Sequence, residues 1–328
     1  KTDHTIDFMI YCNAKTNQMI LLSIIQKSYL KTFGLEKISR EIYDSFGVNY
    51  DMFSIVLVPF MTTFMKKDIA PSHILNEKYN KSYHGKIMEC SFDFTNGWKM
   101  IRERFDKTAP NHFKVAIMSF MNNINNISID ALINPGKHIT MFFKYKSAEN
   151  YQNMRYFHSL IRQNLINKYI MQGDDVLDLG SGRGNTFFHM ARLKPRSITM
   201  MDVDDIAITE FYERIFDTGN KNRNTGLETE LNIISGSFID PDDTDLINPN
   251  KPYNVIFCSF AIHFAFESET AFTIFMKLVD RVSSKTNNTI VIILAIDGDK
   301  LFDKLKKNTK YNIPADGSLK YTFESAYG

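Results

Sequence analysis

Between Val176 and Gly184 the chain reads Val-Leu-Asp-Leu-Gly-Ser-Gly-Arg-Gly, an apolar strand running straight into alternating glycines at the start of a helix. Glycines at such a junction remove Cβ atoms, so the backbone turns sharply and approaches a ligand, with free N–H groups of the helix start aimed at its polar end. The guest this chemistry suits is nucleotide-like. The dinucleotide fingerprint Gly-x-Gly-x-x-Gly is not met, because counting from Gly180 its last position is Asn185, which disfavours NAD and FAD. One acid, Asp178, sits within the motif. A second, Asp202, ends the next strand about twenty residues past the turn, where a carboxylate accepts hydrogen bonds from both hydroxyls of a ribose. Two carboxylates around Gly180-x-Gly182, with no glycine set for a pyrophosphate, suit S-adenosylmethionine: Asp178 near the cationic methionine end, Asp202 on the sugar. A structural turn carboxylate and a solvated strand end are the plain alternatives for these two acids.

Positioning these groups requires strands that alternate with helices. The spacing predicts a helix over Tyr151–Met171, then strand Val176–Leu179, helix Thr186–Leu193, strand Ile198–Met201, helix Asp205–Phe216 and strand Leu231–Ile234. It continues with strand Asn254–Ser259, helix Ser268–Val282 and strand Ile290–Ile296. That order implies a parallel sheet covered on both faces. The first third differs. His4–Asn13 and Gln18–Gln26 alternate as strands, His84–Phe94 alternates again, and helical spacing begins at Phe113. Glu36–Phe46 has helical spacing while Phe53–Phe60 is an apolar run broken by Pro59, so residues 36–68 receive no assignment. The polar, turn-rich stretch Asn122–Ser128 with Asn134-Pro135-Gly136 puts a domain boundary near residue 130, giving domains 1–130 and 131–328.

Composition narrows the classes. At roughly 150 residues per domain, 328 residues suggest about two domains with proper cores, and 44% hydrophobic residues exclude disorder throughout. With 39 Lys+Arg against 37 Asp+Glu the formal charge is +2, so any nucleic-acid contact comes from local basic clusters, not from a cationic whole. Cys12, Cys90 and Cys258 lie far apart, with no His spaced to complete a zinc site, and read as reduced thiols. The apolar runs fall short of the ~20 residues a bilayer needs, so no membrane span is expected. The first residue is Lys1 and no leader follows, so the chain reads as a piece of a larger one.

Taken with its neighbours, the glycine segment resembles the mRNA cap guanine-N7 methyltransferases, over roughly residues 150–324. Met154-Arg-Tyr-Phe-His-Ser-Leu-Ile-Arg-Gln-Asn-Leu-Ile166 is similar to that family's amino-terminal helix, Phe-Asn-Asn-Trp-x-Lys-x-x-Leu-Ile. Phe260-Ala-Ile-His-Phe-Ala-Phe-Glu-Ser268 is similar to its Gln-Phe-x-x-His-Tyr-x-Phe-Glu-Ser signature. The resemblance implies a class I S-adenosylmethionine-dependent methyltransferase fold, Rossmann-like with a mostly parallel sheet. It implies that Asp178, Gly180, Ser181, Gly182, Asp202 and Val203 line the cofactor pocket, with Arg162 in place of the family lysine near the methionine carboxylate. His263 and Phe264 would contact the cap guanine, and Arg155 and Arg183 fall where basic residues meet cap phosphates. Three departures stand out: Ser259 where the family commonly has Gln, Ser237-Phe238 for the usual Asp-Ser that meets adenine, and Phe264 for Tyr.

A second resemblance lies in the amino-terminal third. Asp3-His-Thr-Ile-Asp-Phe8 is similar to the segment after the nucleotidyltransferase lobe of mRNA guanylyltransferases. Trp98-x-x-x-Arg102-x-Arg104-x-Asp106-Lys107-x-x-Pro110-Asn111 is similar to their final motif, on an oligonucleotide-binding (OB) barrel, where Arg102, Arg104, Asp106 and Lys107 would face the triphosphate of GTP. The lobe carrying the nucleophilic lysine is absent, so this chain cannot guanylylate by itself. The order of the two parts is that of multifunctional capping enzymes of large cytoplasmic DNA viruses. It implies the capped 5′ end of mRNA as substrate and, as partners, the missing nucleotidyltransferase and triphosphatase domains of the same polypeptide and a stimulatory subunit, whose need the sequence leaves open. It further implies no membrane, and a location in the host cytoplasm, with or without packaging in the virion.

Guanine N7 carries an in-plane lone pair and needs no deprotonation, so no residue is expected as general acid or base and no metal is required. S-adenosylhomocysteine would be the product. The competing readings are methyl transfer to another RNA position and a catalytically silent RNA-binding or allosteric module of a capping complex. Tyr321–Glu324 is expected as the sixth strand of the parallel sheet, leaving the carboxyl-terminal end of the methyltransferase domain incomplete.

Overall fold

The computed structural model describes residues 5–60, 64–69, 72–124, 155–216, 228–284 and 288–300, and the backbone alone of 152–154, 310–315 and 318–324. Period-two alternation builds its first part. In β1 (Ile6–Asn13) the residues Ile6, Phe8, Ile10 and Cys12 are buried, and the strand pairs with β2 (Gln18–Gln26) in an antiparallel hairpin that sets Ile10 against Leu21. Helix α1 (Glu36–Phe46), within the segment left without assignment, forms on the stretch of helical spacing and ends at Gly47, whose φ of +67° is the left-handed cap a glycine adopts without strain. The apolar run after it becomes β3 (Ile55–Pro59), an edge strand closed by the proline, and a three-residue strand, β4 (Phe64–Lys66). Strands β5 (Ile87–Asp93) and β6 (Gly97–Glu103) complete an antiparallel sheet of order β3-β2-β1-β5-β6. Helix α2 (Phe113–Ile124) packs its Phe120 ring against Phe60 and Trp98, from opposite ends of that sheet. The five strands and this helix form the mainly β domain expected of an OB fold. Among the described residues β3 and β6 do not pair to close a barrel.

The second part alternates as its sequence requires: α3 (Gln152–Tyr169), β7 (Asp175–Leu179), α4 (Phe187–Ala191), β8 (Ser197–Asp202), α5 (Asp205–Ile215) and β9 (Glu230–Ser235). It goes on through α6 (Pro241–Thr244), β10 (Val255–Ser259), α7 (Glu269–Val282) and β11 (Ile290–Leu294). These strands lie parallel in the order β11-β10-β7-β8-β9. All five residues of the central β7 are buried, as helices on both faces demand. The order reverses between β7 and β10, and a ligand cleft in such sheets opens outside the carboxyl ends of the strands at that switch point.

The two parts are not separate globules. Strand β4, from the segment that has no sequence assignment, adds a sixth parallel strand outside β9, with Lys66 level with Ser235. Phe216 at the end of α5 is covered by Phe33, Tyr29 and Phe113 from the amino-terminal part, with ring centroids 5.6, 5.3 and 6.0 Å away, and Thr32 accepts the Leu231 N–H at 2.7 Å. One hydrophobic cluster thereby runs through both parts. The expected boundary near residue 130 lies outside the described residues. Strands β12 (Lys310–Ala315) and β13 (Ser318–Glu324) pair antiparallel with each other in a sheet of their own. Tyr321–Glu324 is thus not a parallel sixth strand: two strands two residues apart meet locally as a hairpin. Among the described residues no helix is long and apolar enough to cross a membrane, and Cys12, Cys90 and Cys258 are buried thiols in no disulfide.

Candidate active site

The cleft is made by the turn after β7. Gly180 and Gly182 take φ of +69° and +53°, a conformation that L side chains rarely adopt. At Gly180 the glycine is needed twice, since a Cβ there would meet the Ala261 Cβ at 2.3 Å. Ala261 opens the segment after β10, so this contact seals the floor between the two strands of the switch point. At Gly182 a Cβ would meet nothing within 4 Å, so the missing side chain faces open space. The Gly180 and Ser181 N–H groups donate to the Met201 carbonyl at 2.9 and 3.1 Å, and the Gly182 N–H donates to Asp202 Oδ2 at 2.6 Å.

The two acids sit on either side of this turn. Asp178 is fully buried, accepts the Thr186 hydroxyl at 2.5 Å, and has its pKa pushed up to about 7, chiefly by burial and secondarily by the Asp202 charge, against the Thr186 hydrogen bond and the Arg162 charge. Arg162, half-buried on α3, has a pKa lowered by burial and sustained by Asp178. The Asp202 pKa is also raised by burial, while N–H groups of Asp204 and Gly182 oppose the shift. Its Oδ1 accepts from Asp204 at 2.9 Å. A cationic group brought next to Asp178 would satisfy a carboxyl group that the protein alone only partly compensates.

The remaining predicted positions divide. Ser259, at the end of β10, carries a buried hydroxyl with no hydrogen-bond partner, and Phe238 is a buried ring 3.6 Å from the Cβ position of Gly180. The Ser237 N–H is held by Asp243 at 2.8 Å, and Val203 is exposed. His263 is exposed, with Phe264 half-buried beside it at a centroid distance of 4.2 Å. Arg183 pairs with Glu210 at 2.8 Å, and Arg155 is exposed on α3. Far from this cleft, Arg102 donates to Glu89 at 2.6 Å. Arg104 grips Asp7 with one nitrogen (2.8 and 3.0 Å) and Asp106 with two (2.9 Å each), and Lys107 donates its N–H to the Arg104 carbonyl. The two amino-terminal motifs, separate in sequence, therefore meet through Asp7, whose N–H donates to Asn111 Oδ1 at 2.7 Å and whose carbonyl accepts the Asn111 N–H at 2.8 Å.

Sequence reasoning missed Thr186, Ala261 and the pair His158–Phe260. Phe260 has φ of +58° and its ring lies 4.4 Å from that of His158 on α3. Backbone strain in an aromatic residue at a strand end marks functional clefts, but no sequence pattern announces it. Among the described residues no group of His, Cys, Asp and Glu is arranged to hold a metal. The donor set fits S-adenosylmethionine: an open face at Gly182, an orphaned Ser259 hydroxyl and a carboxylate on each side of the turn.

Comparison with known proteins bears on this geometry. The "mRNA capping enzyme, C-terminal domain" family matches residues 4–133, and the "mRNA (guanine-N(7))-methyltransferase domain" family matches residues 124–313. The "Probable mRNA-capping enzyme" of Acanthamoeba polyphaga mimivirus is 24% identical over 275 residues, 68% of this chain and 23% of that protein. The mRNA cap guanine-N(7) methyltransferase of Caenorhabditis elegans is 28% identical over 136 residues, 38% of this chain and 34% of that protein. That of Saccharomyces cerevisiae (strain ATCC 204508 / S288c) is 26% identical over 120 residues, 35% of this chain and 26% of that protein. The chain thus spans between about a quarter and a third of the length of these relatives. Its second part has the class I S-adenosylmethionine-dependent methyltransferase fold, and by the match over most of its length the chain belongs to the mRNA (guanine-N(7))-methyltransferase family.

Proposed function

We propose that the chain transfers a methyl group from S-adenosylmethionine to N7 of the guanine in a GpppRNA cap, and that its amino-terminal part, up to about residue 130, is the OB domain of an RNA guanylyltransferase whose catalytic lobe lies elsewhere in the polypeptide. The observation that carries this reading is the open glycine turn between Asp178 and Asp202 at the switch point. The sulfonium supplies an electrophilic methyl group when the donor is bound. Arg162 binds the donor's carboxylate, Asp178 faces its cationic end, and Asp202 takes its ribose hydroxyls while Gly180, Ser181 and Gly182 leave the backbone clear. Phe238, Ser237 and Val203 flank the adenine, and Ser259 offers its unused hydroxyl. His263 and Phe264 form the guanine wall, with Arg155 and Arg183 near the cap phosphates.

No side chain has to move a proton. The residues would accelerate transfer by orienting donor and cap toward each other, and positioning of this kind supplies roughly 7–11 kcal/mol of barrier reduction. The buried carboxyl of Asp178 acts through charge and orientation. The substrate is the capped 5′ end of mRNA, the partners are the remaining capping domains of the same polypeptide, and the compartment proposed is the host cytoplasm.

The test is methyl transfer from tritiated S-adenosylmethionine to GpppRNA, with nuclease digestion to locate the label. Label in 7-methylguanosine is expected. Label at another position, or donor binding without transfer to any cap, would overturn the assignment.

A further inference from the structure

We propose that Lys66 and Lys67, which belong to the amino-terminal part of the chain, are positioning residues of the methyl-donor pocket, so that docking of that part sets the affinity for the donor. The inference rests on the reading of the cleft as a donor site. Asp202 of β8, Ser235 of β9 and Lys66 of β4 stand side by side at one level of the sheet. Lys66 Nζ pairs with Asp205 Oδ2, and the other oxygen of Asp205 accepts the Ser235 hydroxyl. Asp205 begins α5 directly after Asp204, whose carboxylate caps that helix through the N–H groups of Ile206 and Ala207 at 2.9 and 3.2 Å, and whose own N–H donates to Asp202. Lys66 thereby fastens the ribose side of the cleft.

Its neighbour acts on the other side. Lys67 Nζ lies 2.7 Å from Asp242 and 3.8 Å from Asp240. Asp240 caps α6 through the N–H groups of Asp242 and Asp243, and Asp243 holds the Ser237 N–H. The loop after β9, on the adenine side, is thus tied to the residue that directly follows the same three-residue strand. Five carboxylates, those of Asp204, Asp205, Asp240, Asp242 and Asp243, gather beyond the ends of β8 and β9. Two lysines brought in by β4 offset that repulsion, and the Lys66–Asp205 pair is about four-fifths buried, where solvent screens it little. The sixth strand is then a clamp on both loops that face the nucleoside.

The experiment measures S-adenosylhomocysteine and S-adenosylmethionine binding by calorimetry on the 328-residue chain, with cap methylation in parallel. Lys66→Met is expected to weaken binding about tenfold and raise the donor KM in step, with kcat at saturating donor within about twofold, and Lys66→Arg to restore most of the loss. Lys67→Met is expected to weaken binding about threefold. If Lys66→Met fails to fold, Asp205→Asn, which breaks the same pair and leaves the β4–β9 ladder intact, carries the decision with the same expectation. Unaltered affinity in a folded variant would overturn the proposal. Absence of donor binding by the unaltered chain would instead overturn the reading of the cleft itself.

Discussion

The Gly182 N–H reaches Asp202 Oδ2 at 2.6 Å, so the acid proposed to hold the donor's ribose also fixes the glycine turn. One side chain would therefore both shape the cleft and serve it. Replacing it with alanine removes the turn's anchor and the hydroxyl acceptor together, at about 1–3 kcal/mol for buried hydrogen bonds left unmade. Asp202→Ala is expected to weaken S-adenosylhomocysteine binding by about ten- to a hundredfold in calorimetry. Asp202→Asn, which retains one acceptor oxygen, should fall between the two. Wild-type affinity in the alanine variant would remove Asp202 from the site.

Gly180 and Ala261 are coupled by contact. Alanine at 180 would place two Cβ atoms 2.3 Å apart and hold a non-glycine residue at φ +69°. Overpacking costs about 1–3 kcal/mol and the left-handed backbone about 1–2, so Gly180→Ala should destabilise by roughly 2–5 kcal/mol. Adding Ala261→Gly removes the clash and leaves the strain. The double variant is therefore expected to recover about half of the loss in urea denaturation, a coupling that independent sites would not show.

How much of this was legible depends on range. The turn, Asp178 and Asp202 announce themselves because strand, glycines and acid are local in the chain, and the alternation from Tyr151 onward is fixed by periodicity that burial on both sheet faces enforces. Segment 36–68 is not legible as a unit: Glu36–Phe46 has helical spacing, but the apolar run after it points no single way. A three-residue strand has no period to read, and Phe64–Lys66 becomes a strand only by pairing with Ile233–Ser235, far along the sequence. The meeting of Asp7 with Arg104 is invisible for the same reason, although each lies in a recognisable motif. Positions 259 and 260 show the other limit: a partnerless hydroxyl and a positive φ are properties of the assembled cleft, not of residue type.

Asp178 gives a pH signature. Burial raises its pKa from the ordinary 3.8 to about 7, so in the ligand-free protein the folded form keeps a proton that the unfolded form has lost between those values. Stability contributed by the group is complete below about pH 4 and is lost as pH rises toward 7, at no more than about 1.4 kcal/mol per pH unit. Asp178→Asn, which still accepts from Thr186, should flatten that slope in denaturation midpoints. A cationic ligand selects the carboxylate, so donor binding should release a proton near pH 6 and weaken by up to about tenfold per unit below 7. Calorimetry in buffers of different ionisation enthalpy reads the proton directly, and equal heats would contradict the assignment.

Arg104 ties the first strand to the loop after β6, and its two partners are unequal. Asp7 is buried and is held through one guanidinium nitrogen, whereas Asp106 takes the bidentate grip of two nitrogens but is mostly exposed, although Arg104 depresses its pKa strongly. Breaking a buried pair strands a charge, while an exposed partner is replaced by water. Arg104→Met is therefore expected to lower the thermal midpoint clearly, and Arg104→Lys to fare little better, because an ammonium cannot span both carboxylates in plane. Asp106→Ala should leave the midpoint nearly unchanged. Since Phe33, Phe113 and Phe216 join the two parts in one core, the loss should appear as a shift of a single transition in calorimetry. Two separated transitions, with only the lower one moved by Arg104→Met, would show that the parts unfold independently.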